Sequence, residues 1–78
     1  MKAEIISMTF CGLNHRPQFG YEALYRTWFL QDGIKIEYQL FFILTGMDSM
    51  KPEFTLHKAR PFFHEEKALT LEEINDLL

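Results

Sequence analysis

The chain has 78 residues, a net charge of −3, one cysteine and 47% hydrophobic side chains. That length fits one domain, residues 1–78, and a domain so small buries only about 60–65% of its unfolded surface. The charge excludes a basic stripe for nucleic-acid phosphates, and the lone cysteine excludes an intrachain disulfide framework, which favours a reducing, cytoplasmic setting.

Acidity is confined to one end. Residues 1–64 carry seven Lys/Arg against six Asp/Glu, whereas residues 65–78 carry one Lys against five acids. The body is therefore close to neutral. Eight Phe, three Tyr and one Trp offset the small core, since each aromatic can bury about 150–250 Å². The opening MKAEIISMTF has Glu4 where a signal peptide has an apolar run. The longest apolar run, LFFIL at 40–44, is far short of the roughly 20 residues that cross a bilayer, so no membrane contact is expected.

Residues 2–10 have the length and β-branched content of a strand. Their alternation is imperfect: Ala3, Ile5, Ser7 and Thr9 fall on one side, Lys2, Glu4, Ile6, Met8 and Phe10 on the other. CGLNHRPQFG, 11–20, has Gly12, Asn14, Pro17 and Gly20, which is loop chemistry. Long loops in small domains often carry function.

Residues 21–31 admit two readings. As a helix, Tyr21, Leu24, Tyr25, Trp28 and Phe29 share a face and Glu22 pairs with Arg26. As a strand, the segment is rich in Tyr, Thr, Trp and Phe and ends in Asp32-Gly33, the signal of a tight hairpin. In that hairpin the paired residue numbers sum to 65. One face then holds Phe29/Ile36, Thr27/Tyr38, Tyr25/Leu40, Ala23/Phe42 and Tyr21/Leu44. The other holds Leu30/Lys35, Trp28/Glu37, Arg26/Gln39, Leu24/Phe41 and Glu22/Ile43. The first set is almost wholly apolar, and a one-residue slip would exchange the faces. The hairpin is the preferred reading.

GMDSMKP, 46–52, reads as a turn, and EFTLHKAR, 53–60, as a fourth strand ended by Pro61. Lys58 and Arg60 suit a sheet edge, where charge discourages further pairing, and His57 falls opposite Leu56 on a solvated side. Phe62 or Phe63 is expected to pack across the sheet. TLEEINDLL, 70–78, opens with a Thr70/Glu73 capping box and places Leu71, Ile74, Leu77 and Leu78 on one stripe. So short a helix needs a surface to dock on.

The fold class is thus α+β: a small, mainly antiparallel four-stranded sheet with one C-terminal helix, the alternative being β-α-β-β-α. Chemistry-bearing residues are sparse. Cys11 and His15 form no recognisable thiolate–imidazole motif, which would also need an orienting group and an oxyanion donor set. His15, His57 and His64 lack metal-ligand spacing. Glu65-Glu66 suits the positive end of a following helix. No metal or cofactor is implied.

The least ordinary feature is the second hairpin face, where Arg26, Trp28, Leu30, Lys35 and Glu37 group an exposed aromatic with charges of both signs. Such patches mark protein contacts. The favoured function is a non-enzymatic accessory or regulatory protein that acts by protein–protein contact, with self-association as a homodimer. The competing function is a small ligand-binding or enzymatic domain using the 11–20 loop, with Cys11, His15 and Arg16. Stacking of single-stranded nucleic acid on Arg26 and Trp28 is disfavoured by charge.

Overall fold

The computed structural model describes residues 2–18, 20–47 and 51–78. The elements in order are β1 (Ala3–Arg16), β2 (Gly20–Gln31), β3 (Ile34–Met47), β4 (Pro52–Pro61), a 3-10 turn (Glu65–Lys67) and α1 (Leu71–Leu77). The strands form one antiparallel sheet in the order β1-β2-β3-β4. The α+β expectation holds, and the helical reading of residues 21–31 does not.

The β2–β3 register runs from Glu22↔Ile43 to Gln31↔Ile34, every pair summing to 65. Asp32 and Gly33 both have positive φ, 49° and 84°, as a two-residue turn matched to strand twist requires. The Asp32 N–H donates to the Lys2 carbonyl at 2.9 Å and the Lys2 N–H to Asp32 Oδ1 at 3.0 Å. The start of the chain is thereby tied to the hairpin tip. The Glu22–Arg26 pair of the helical reading is absent: Arg26 bonds Glu37, and Glu22 bonds Arg16 and His57.

β1 is longer than expected and phased differently. It continues to Arg16, which pairs with Gly20, so residues 11–16 are strand and the ten-residue loop is not formed. Ile6 and Cys11 are extra residues at two register shifts. A bulge turns the side chains after it to the other face of the pleat. The shift at Ile6 therefore brings Met8 and Phe10 onto the face of Ala3 and Ile5, and the shift at Cys11 adds Leu13 and His15. The sides expected for residues 2–10, with Ser7 and Thr9 beside Ala3 and Ile5 and Met8 and Phe10 opposite, are exchanged beyond Ile6 for that reason. The turn expected at 46–52 lies largely outside the described residues.

We call the face that meets α1 the inner face. Phe29, Ile36, Tyr38, Leu40 and Leu56 from the sheet are buried there with Leu69 and Ile74, and Ala3, Ile5, Ala59 and Leu77 pack around them. This core occupies only the half of the sheet next to the Asp32-Gly33 turn. Helix α1 starts with the expected capping box, Thr70 Oγ1 accepting from Glu73 N–H at 3.1 Å and Glu73 Oε1 from Thr70 N–H at 2.9 Å.

Its stripe is only partly used: Ile74 is buried and Leu77 partly so, but Leu71 and Leu78 are exposed. Leu69, just before the cap, fills the core position instead. Phe62 and Phe63 do not cross the sheet either, Phe63 being 76% exposed. The Phe62 N–H continues the ladder to the Glu37 carbonyl at 3.0 Å, and the chain then turns away through His64 at φ 59°.

A buried polar relay fastens this cover. The Tyr38 hydroxyl donates to Gln31 Oε1 at 2.5 Å and accepts from the Leu69 N–H at 3.1 Å, while Gln31 Nε2 donates to the Lys67 carbonyl at 2.9 Å. Burial pushes the Tyr38 hydroxyl above its ordinary pKa, keeping it a neutral donor. Thr27 is buried beside this relay, and its Oγ1 has no partner among the described residues.

Unfolding in denaturant should separate these two hydroxyls. Tyr38→Phe leaves Gln31 and the Leu69 amide short of a partner and should cost about 1–3 kcal/mol, with exposed Tyr21→Phe near neutral as control. Thr27→Val removes an unpaired buried hydroxyl and should stabilise by about 1 kcal/mol.

Candidate functional site

Two surfaces and one polar cluster lie outside the core. On the inner face, beyond the reach of α1, Met8, Phe10, Leu13, Ala23, Tyr25, Phe42, Phe54 and Leu78 line an open trough of about 540 Å³. No charged side chain lines it. Phe10 meets Tyr25 and Tyr25 meets Phe42 edge-on, each with centroids 5.4 Å apart, an aromatic geometry worth about 0.5–1.5 kcal/mol per pair beyond the area buried. Phe10 and Leu13 are 57% and 52% exposed.

The trough exists because the bulges align β1 with the alternation of β2 and β3. Sequence reasoning missed it, although a signal was present. Residues 3, 5, 8, 10, 13 and 15 step by two, then three, then two, and each step of three is a bulge.

On the outer face, the expected protein-binding residues do lie together. Trp28 pairs with Glu37, Leu30 with Lys35 and Arg26 with Gln39. Trp28 is 40% exposed, with Ile6, Ser7 and Lys35 around it. Arg26 Nη2 reaches Glu37 Oε2 at 2.7 Å. The Arg26 side chain is 57% exposed and the Glu37 side chain 13%, so solvent still screens the pair from the Arg26 side and it contributes modest stability, about 0–1 kcal/mol.

The polar cluster is at the other end of the outer face. Glu22 is only 5% exposed. Arg16 Nε donates to its Oε1 and His57 Nε2 to its Oε2, each at 3.1 Å. His57 is the extra residue of a bulge where Phe41 pairs Lys58 and Phe42 pairs Leu56, so it reaches across β3 to β2. The solvated His57 expected from simple alternation is thereby corrected. Lys58 lies over the Phe41 ring at 5.3 Å. Burial alone would raise the Glu22 pKa. The hydrogen bonds from His57 and Arg16, and their charges, outweigh it and hold the carboxyl below its ordinary value. The cluster ties β1, β2 and β4 together.

Cys11, His15 and Arg16 are not brought together at one place. Cys11 is exposed at a bulge, its Sγ 3.4 Å from the Thr9 carbonyl. His15 stacks edge-on with Tyr21 at 5.3 Å on the inner face, while Arg16 bonds Glu22 on the outer face. The loop that was to gather them is a strand, and a strand sends successive residues to opposite faces. Among the described residues no group of three or more His, Cys, Asp or Glu could hold a metal ion.

No protein-family model, curated protein or solved structure matches the chain. Among the described residues no helix is long and apolar enough to cross a membrane.

The lowered Glu22 pKa fixes a sign. A carboxyl whose folded pKa lies below its unfolded value, 4.5 for the free group, contributes stability above that value and loses it as pH falls through the folded pKa. Urea melts of wild type and Glu22→Gln should differ most near neutrality, wild type being the more stable, and converge as pH falls below 4.5 and through the folded pKa.

Proposed function

We propose that this is a small, cytoplasmic, non-enzymatic accessory or regulatory protein that acts through protein–protein contact and self-associates. The observation that carries this reading is the uncovered aromatic surface. The single helix covers half of one face, so the Trp28 face and the inner trough both stay open. Monomeric proteins rarely expose continuous apolar patches beyond a few hundred Å² unless the patch binds something.

The Trp28 face has the composition of a docking surface for a protein partner. It offers one large aromatic, an aliphatic neighbour in Leu30, and the charges of Arg26, Lys35 and Glu37 at its margin. Its mixed signs favour a partner surface that is itself mixed in charge. The ligand-binding or enzymatic alternative loses its main premise with the 11–20 loop, since Cys11, His15 and Arg16 are dispersed along a strand.

Trp28→Ala should leave the melting temperature within a few degrees of wild type, because the side chain is already substantially exposed. It should abolish retention of proteins that the immobilised wild-type chain captures from a host lysate. Acrylamide should quench wild-type tryptophan fluorescence readily, and bound partner should protect it. Equal capture by wild type and Trp28→Ala would remove this face from the proposal.

A further inference from the structure

We infer that the inner trough is closed by a second copy of the chain, packed face to face about a two-fold axis. This rests on the protein-contact reading and assigns the self-association to a surface other than the Trp28 face. Three features point to a second copy as the occupant.

The first is area. Met8, Phe10, Leu13, Tyr21, Phe54 and Leu78 are each between 37% and 57% exposed on this side. With aromatic side chains burying about 150–250 Å² when fully covered, the open apolar area is about 500 Å² per copy. Two troughs face to face therefore bury about 1,000 Å², where specific interfaces begin.

The second is charge. No Lys, Arg, His, Asp or Glu side chain lines the trough, so its own copy sets no like-charged side chains against it, the usual obstacle to self-pairing. The outer face lacks this property, with Arg16, Arg26, Lys35 and Lys58 spread along it.

The third is shape. The molecule is 41 Å long, and α1 stands on one half of the inner face, which makes the chain a step. Packed sheets lie about 10 Å apart and a helix is about 10–12 Å across. A second sheet therefore sits in the trough at the height of α1, with Leu78 at the join. Under the two-fold axis the helices fall at opposite ends, and each copy fills the notch left by the other. Both Trp28 faces remain on the outside, so the pair offers two identical docking surfaces.

Sedimentation equilibrium on wild type, Phe10→Glu, Leu13→Glu and Trp28→Ala tests this, with thermal melts as controls. Wild type should have twice the 9.3 kDa mass of one chain. Each trough variant should weaken the dimer by more than about tenfold, as central interface residues do, and Trp28→Ala should leave it intact. If a glutamate variant fails to fold, Leu13→Ser takes its place, since Leu13 is more than half exposed in the single chain.

Amide hydrogen exchange separates face packing from edge pairing through β1, whose residues Ile5–His15 include no Lys, Arg, Asp or Glu. Face packing leaves exchange along the free edge of β1 independent of concentration, and edge pairing slows it. A monomeric wild type, a dimer that survives both trough charges, or slowed β1 edge exchange would each overturn the inference. A dimer lost in Trp28→Ala and kept in the trough variants would overturn it too, and would leave the protein-contact reading standing. A monomer whose capture of partners does not depend on Trp28 would end both.

Discussion

A helix of seven residues spans about 10 Å, whereas strands of 14 residues run most of the 41 Å length of the molecule. That mismatch in length governs the rest of the molecule. Only the half of the inner face beside the Asp32-Gly33 turn can be covered, so the core of Phe29, Ile36, Tyr38 and Leu40 forms there and nowhere else. The cover is also short of apolar residues, with Ile74 and Leu69 as its two buried side chains. The relay through Tyr38 and Gln31 compensates, because it satisfies the Leu69 N–H, which would otherwise be buried unpaired, and ties down the Lys67 carbonyl. Beyond the helix the same alternation of apolar residues continues along β1, β2 and β3 with nothing above it.

Legibility in the sequence tracked the regularity of pairing. The β2–β3 hairpin was readable to the residue because its turn has a specific chemistry and its ladder has no bulge across ten pairs. Every face assignment along it is then a matter of counting. The Thr70/Glu73 cap was readable because it is a local, reciprocal pair of hydrogen bonds. β1 and β4 were read less well, since β1 contains two extra residues and β4 has His57, each inverting the faces of the residues beyond it. Gly12 and Asn14 suggested a loop, yet Gly12 only accompanies the Cys11 bulge. The position of His57 depended on its own bulge, and Leu69, not Phe62 or Leu71, joins Ile74 in the core. None of these is a matter of propensity. Each was decided by where one neighbouring residue sits.

The two ends of the outer face treat charge differently. Arg26 and Glu37 form their pair with the Arg26 side chain 57% exposed and the Glu37 side chain 13% exposed. Glu22 is enclosed, and its carboxylate is acceptable there because both oxygens accept hydrogen bonds from cationic or polar partners. Removing one partner from such a buried group costs far more than removing one from a solvated pair. The turn-distal end of the sheet, which has no helix beneath it, is thus held by a polar tie on one face and by stacked aromatics on the other.

The strand order β1-β2-β3-β4 also bears on how the chain reaches this state. Every strand pairs with its neighbour in sequence, so no long loop must close before any ladder can begin, and chains built from such local contacts fold faster than sandwiches of equal size. The Asp32-Gly33 turn is the natural starting point, with Phe29, Ile36, Thr27 and Tyr38 meeting first. β1 and β4 then add to opposite edges independently. Helix α1, whose surface exists only once β2 and β3 have paired, is expected to dock last. Low φ-values in α1 beside high ones at Phe29 and Ile36 would be the kinetic signature of that order.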